Sequence, residues 1–377
     1  VSIDQEDVAP LLEGVGRFAR ERIATAAGRP EAPKGMAEFE GLTGEALELS
    51  ILPDAGNHES FGLWSGTEQA HVMAFNTGVL KHASYANPGV AFAWHRYALA
   101  CHLSRVLGLE ADSAGAPSLT LAPAGHYGLG RTSLARWLRG AELTLDEDSL
   151  LADWLDRDTH ATVLIAPDNW KALLWPVWCD GGILWERVSR DGLNAGRCRS
   201  QHGFDELAAS RLVRLPGTLA PLPPPAAGSR AVYGGILKMD MIGLLAIGAG
   251  AIGRALEMAG EYASVRRQGG KLIAGHAAVQ FLLSGIERAR GAAELALEAC
   301  EQPLERLDLG RVAASRATVC GMLCHAASEA VQVFGGYGYM RDTGVEKILR
   351  DMNMLRLETG GTRELELFVA GWRGGAA

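Results

Sequence analysis

The stretch QVFGGYGYMRDTGVEKILRDMNMLRLETGGTRE, residues 332–364, decides how this chain is read. An apolar helical run ends on a diglycine, Gly335-Gly336. The string Val345-Glu346-Lys347 with Arg350-Asp351 follows, and then Glu358-Thr359-Gly360-Gly361 leads into Thr362. Glycine ends helices because it enters left-handed backbone without steric cost, and it lets a ligand approach the main chain.

Outward from this stretch the pattern is helical. Residues 343–357 and 362–372 lie on its C-terminal side. Residues 304–334, 275–301 and 231–266 precede them at helical spacing. Long antiparallel helices with short joints predict a four-helix-type bundle. Glycines at 243, 248, 250 and 253 interrupt the 231–266 helix and predict close backbone packing. The run MIGLLAIGAGAI, residues 241–252, is apolar but short of a membrane span. A buried helix and no membrane partner are expected.

The bundle is preceded by LPGTLAPLPPPAAGS, 215–229, a semi-extended proline-rich connector that marks a boundary. Residues 116–215 carry short apolar runs between turn residues: Ser118–Ala122, Ala161–Ala166, Ala172–Val177, Gly182–Val188 and Ala208–Leu215. This is all-β texture, with Trp154, Trp170, Trp175, Trp178 and Trp185 expected mostly in its core. Residues 1–115 read as helical, with 71–83 and 92–108 flanking the turn Asn87-Pro88-Gly89. The expected class is α+β multidomain. A helical N-terminal domain covers 1–115, a middle β-barrel or sandwich with the connector covers 116–229, and a C-terminal four-helix bundle covers 230–377.

Bulk properties narrow the function. Among 377 residues, 48% are hydrophobic and 21% charged, a globular composition, and the net charge of −8 argues against a nucleic-acid partner. The N-terminus VSIDQEDVAP lacks a secretory signal pattern. None of the six cysteines forms a CxxC pair, and Cys320 and Cys324 share a helix face as core residues do. No metal site and a cytoplasmic location are expected.

Helical, then β, then helical bundle is the order of the acyl-CoA dehydrogenase family, and the C-terminal motifs resemble it closely. Gln332-Val-Phe-Gly335-Gly336-Tyr-Gly338 resembles its QxxGGxG element. Val345-Glu346-Lys347 with Arg350-Asp351 resembles its V-E-[KR]…R-D helix, and Thr362-Arg363-Glu364-Leu365 the segment after the catalytic acid. Arg266-Arg-Gln268-Gly-Gly270 resembles the R-x-[QT]-F-G element, with His276 where the next helix's histidine falls. The resemblance covers 230–373 strongly, 60–110 moderately and 116–215 weakly.

This resemblance implies an FAD-dependent oxidoreductase of lipid metabolism that carries out α,β-dehydrogenation of an acyl-CoA substrate. It implies Arg266, Gln268, Gln332, Gly335, Gly336 and Thr362 as cofactor-binding residues. Arg266 is a fork suited to a pyrophosphate, and Gln332 an amide for the diphosphate or ribityl group. In the family the arginine and the QxxGGxG element reach FAD from a neighbouring subunit. The chain is therefore expected as a homodimer, a homotetramer, or a heterotetramer with a homologous subunit, passing electrons to an acceptor flavoprotein. Otherwise Gly335-Gly336 is only a helix cap and Arg266 a solvated charge.

The family's catalytic glutamate falls on Thr359 counting forward from Arg350-Asp351, and on Gly360 counting back from Thr362, so one residue is inserted here. Two carboxylates are the candidate catalytic bases. Glu358 lies one or two positions away, its alternative place being the surface of a loop or helix end. Asp240 lies on the 231–266 helix, where some family members carry their base, its alternative role being an N-terminal-turn aspartate favoured by the helix dipole. Leu121-Ala122-Pro123-Ala124-Gly125-His126 departs from the family's flavin-side loop. Trp154 is displaced from the expected tryptophan strand, and Gly269 stands where a phenylalanine is expected. Three other readings follow. One is a non-catalytic subunit, another a flavin monooxygenase using His126 or His202, and the last a helical scaffold.

Overall fold

The computed structural model describes residues 3–24, 36–110, 118–119, 129–155, 162–198, 202–214 and 222–374. Its axis is one helix, Ser229–Val265, of 37 residues and about 55 Å at 1.5 Å per residue. Every residue from 239 to 252 is buried, as expected of a helix apolar on all sides. By length and composition it could cross a membrane, but 89% of its apolar window is buried inside the fold.

In chain order the helices are α1 (Val8–Phe18), α2 (Met36–Glu48), α3 (Ala70–Ala86), α4 (Pro88–Val106), α5 (Leu129–Leu138), α6 (Leu145–Trp154) and α7, the long helix. They continue with α8 (Ala277–Glu298), α9 (Leu309–Phe334), α10 (Val345–Leu355) and α11 (Thr362–Gly374). Helices α3, α4, α8 and α9 all pack against α7. One apolar core runs from Val15 of α1 to Phe368 of α11, so the N-terminal helices and the C-terminal bundle stabilise each other.

Local signals explain the joints. The Asn87 side chain accepts from the Val90 amide at 3.1 Å and Pro88 opens α4, so the Asn-Pro-Gly turn separates two abutting helices. Close packing on α7 is real: a Cβ at Gly243 would overlap the His95 imidazole. We expect Gly243→Ala to cost about 1–3 kcal/mol through overpacking, read as a lowered denaturant midpoint at unchanged slope.

The middle region corrects the expectation of pure β texture. It contains two three-stranded sheets, and among the described residues no closed barrel. The strands are β1 (Ser118–Leu119), β2 (Thr162–Ala166), β3 (Ala172–Cys179), β4 (Gly182–Ser189), β5 (Leu193–Arg197) and β6 (Ala208–Arg214). They pair in the orders β1-β3-β4 and β2-β6-β5. Two helices, α5 and α6, interrupt them. The start of α6 was legible, because Thr144 and Glu147 form a capping box. Trp154 therefore ends a helix and is buried there, not on a strand. Trp170 and Trp175 do enter a sheet core, whereas Trp185 belongs to the main core. Trp178 is half-buried, its indole donating to Asp148 Oδ1 at 3.0 Å. The segment Leu121–His126 and residues 215–221 of the proline-rich connector lie outside the described residues.

Past α7 the chain makes a small hairpin, β7 (Arg267–Gln268) with β8 (Lys271–Leu272). Its two turn residues, Gly269 and Gly270, have φ of 59° and 82°. A two-residue turn of that kind demands positive φ twice, which accounts for glycine at 269. The His276 ring closes the hairpin onto α8, its Nε2 lying 3.0 Å from the Gln268 carbonyl oxygen.

Candidate active site

Two groups of side chains stand out, one buried and one open. The buried group centres on Asp240, three turns into α7 and fully buried. It is not an N-terminal-turn residue, because eleven helical residues precede it. Its Oδ1 is 3.0 Å from His95 Nε2 and 3.4 Å from an Arg96 nitrogen. Its Oδ2 accepts a hydrogen bond from the Thr359 hydroxyl. The Trp64 indole, a donor only, gives its proton to His95 Nδ1 at 2.9 Å. The His95 proton therefore sits on Nε2 and is donated to Asp240.

Electrostatics follow from this wiring. Burial pushes the His95 pKa down, against the opposing pull of Asp240, so the ring is neutral. Burial alone would raise the Asp240 pKa. The Arg96 charge and the bonds from His95 and Thr359 outweigh it and hold the carboxyl below its ordinary range. Asp240 is thus a fully satisfied carboxylate.

Glu358 follows the end of α10 by three residues. The loop then takes two left-handed residues in succession, Thr359 at φ 59° and Gly360 at 89°. A β-branched residue in that region is strained, and Thr359 is held there from both ends. Its hydroxyl bonds Asp240, and its carbonyl accepts from Arg131 at 2.9 Å. Glu358 is thereby turned inward rather than left on a loop surface. Its Oε2 accepts from Arg96 at 2.9 Å, with the side chain 21% exposed. Burial raises its pKa despite Arg96, and the Asp240 charge adds to the rise. Both candidate carboxylates therefore meet at one guanidinium.

Sequence reading missed Trp64, His95, Arg96 and Arg131. The available signal was His95-Arg96 within the apolar run of α4, where two buried polar side chains need partners.

The open group is a cleft of about 590 Å³ between the end of α7 and the end of α9. Arg266, Gln268, Gln332, Gly335 and Gly336 all line it. Tyr262 stacks on Phe334 at 4.4 Å in its wall, and the Arg266 guanidinium lies 5.7 Å from the Tyr337 ring centre. A permanent cation, two amides and a glycine main chain suit a diphosphate. Thr362 does not line this cleft. It opens α11, two residues past Gly360. His202 is exposed, and its carbonyl accepts from Arg350 at 3.0 Å. His126 lies outside the described residues.

Residues 227–370 match the model of the acyl-CoA dehydrogenase C-terminal domain. An acyl-CoA dehydrogenase of Bacillus subtilis (strain 168) is 34% identical over 135 residues, 35% of each chain. Matches to the curated relatives thus span only about a third of their length. Similarity of fold reaches further. The butyryl-CoA dehydrogenase of Megasphaera elsdenii superposes with a TM-score of 0.72 over 98% of both chains at 17% identity. A glutaryl-CoA dehydrogenase of Mycobacterium smegmatis in complex with FADH2 does so at 0.72, over 100% of this chain and 96% of that one, at 14% identity.

Proposed function

Because this chain has the acyl-CoA dehydrogenase fold and its C-terminal bundle belongs to that family, we propose that it is an FAD-dependent oxidoreductase that dehydrogenates an acyl thioester, with Glu358 as the base. The observation that carries this is the inward Glu358 carboxylate, paired with Arg96 and made more basic by burial.

The α-proton of a thioester is weakly acidic, so an ordinary surface carboxylate is a poor match for it. Glu358 is better matched because burial raises its proton affinity. When Glu358 takes the proton it loses its charge, and Arg96 keeps Asp240 as counter-ion. The cluster therefore holds a balanced ion pair after proton transfer. Asp240 serves as the fixed countercharge, since His95, Arg96 and Thr359 already occupy it.

FAD supplies the hydride acceptor when bound. Arg266, Gln268 and Gln332 would hold its diphosphate half, with Gly335 and Gly336 allowing close approach. The cleft lies open on the surface, lined in part by Tyr337 and Met340, both large and exposed. That arrangement supports a second protomer docking there and completing the cofactor site. Electrons then pass to an acceptor flavoprotein, in the cytoplasm.

The deciding experiment is the visible spectrum of the purified protein during anaerobic addition of butyryl- to palmitoyl-CoA. Bleaching of a bound flavin is expected. Colourless protein that acquires flavin only with a co-expressed homologue would replace this reading by that of a non-catalytic subunit. Arg266→Ala should lower flavin retained through gel filtration, and unchanged flavin content would remove its assigned role.

A further inference from the structure

Three buried guanidiniums converge on the end of α10 and the loop that follows it. Arg316 donates to the Leu355 carbonyl at 2.6 Å, Arg96 to Glu358 at 2.9 Å, and Arg131 to the Thr359 carbonyl at 2.9 Å. Arg131 is the unusual member. It is 4% exposed, and among the described residues no carboxylate lies within ion-pair distance of it. Its Nη1 has no hydrogen-bond partner. The guanidinium rests on the Trp154 ring at 5.1 Å. Burying a charge this way is costly, and among the described residues its hydrogen bond goes to the Thr359 carbonyl, next to Gly360.

We infer that Arg131 is the positioning residue that locks the Thr359-Gly360 bulge and so aims the Glu358 carboxylate. The proposal rests on Glu358 being the base. Gly360 belongs to the same lock, because a Cβ there would lie 2.8 Å from Arg131 Nη2. Arg131 comes from α5, which is anchored directly on α11. A Cβ at Gly371 would meet the Thr132 carbonyl at 2.8 Å, so the two backbones touch. The middle region thereby sets the register of a loop in the bundle. Without the bond, the left-handed Thr359 loses half its support and the loop relaxes, swinging Glu358 away from Arg96.

The test compares flavin-loaded wild type with Arg131→Met and Arg131→Lys. Two readouts are used: amide exchange over 356–361, and flavin reduction by butyryl- to palmitoyl-CoA. Arg131→Met should exchange faster in that segment and reduce about 10²-fold more slowly, the scale of a misplacement near 1 Å, with KM little changed. Arg131→Lys keeps one donor and should restore most of the rate. Unchanged exchange in Arg131→Met overturns the lock. Faster exchange with an undiminished rate overturns the positioning role. A wild type that no thioester reduces overturns the functional reading instead, and exchange then decides the lock alone.

Discussion

Glu358→Gln should retain flavin and fold normally, yet lose thioester-driven flavin reduction by about 10²–10⁴-fold, the usual worth of a positioned general base. The amide keeps an oxygen to accept from Arg96, so the loop geometry is preserved while the proton acceptor is removed. The pH dependence supplies an independent check. A base must be deprotonated to act, and burial raises the Glu358 pKa. The wild-type reduction rate should therefore rise with pH through a midpoint above the ordinary glutamate range of about 4.3. Stopped-flow reduction across pH measures both effects. A Glu358→Gln enzyme with wild-type rates would leave the α-proton to another group, and Asp240 would be the next candidate.

Removing Asp240 should act on stability first. Asp240→Ala leaves the Arg96 charge, the His95 Nε2 proton and the Thr359 hydroxyl without their shared acceptor in a fully buried place. Breaking a buried ion pair by deleting one partner costs about 3–5 kcal/mol, and urea unfolding should register a loss of that size. Asp240→Asn keeps one acceptor and should cost less. The sign with pH is definite. The folded Asp240 pKa lies below its unfolded value. Its stabilising contribution is therefore complete above the unfolded pKa of about 3.9 and lost as pH falls through the folded pKa. Acid unfolding of the wild type should carry this contribution, and Asp240→Asn should lack it. Equal stability of Asp240→Ala and wild type would mean that the cluster is not the buried hub the distances describe.

Residues near one another in sequence explain what could be read directly. The helical spacing of 231–266 predicted α7 within two residues at its start and one at its end. Gly335-Gly336, Gln332, Arg266 and Gln268 were grouped by the resemblance of their motifs, and the structure brings them to one cleft because the segments that carry them sit at or beside helix ends. Residues 129–154 were misread because two ten-residue helices lie among short strands. Over so few turns, an apolar run does not separate the two periodicities.

The sequence by itself determined the long helices and the glycine-marked joints, because these depend on backbone preference and spacing within one element. Only tertiary structure decided the buried site. Apart from the adjacent His95-Arg96, the group is drawn from distant parts of the chain at Trp64, Arg131, Asp240 and Glu358, with no local signal joining one to another. What joins them is the cost of burying charge: once α4, α5 and α7 close over the 355–361 loop, each carboxylate and guanidinium is held by whichever partner the packing brings within reach.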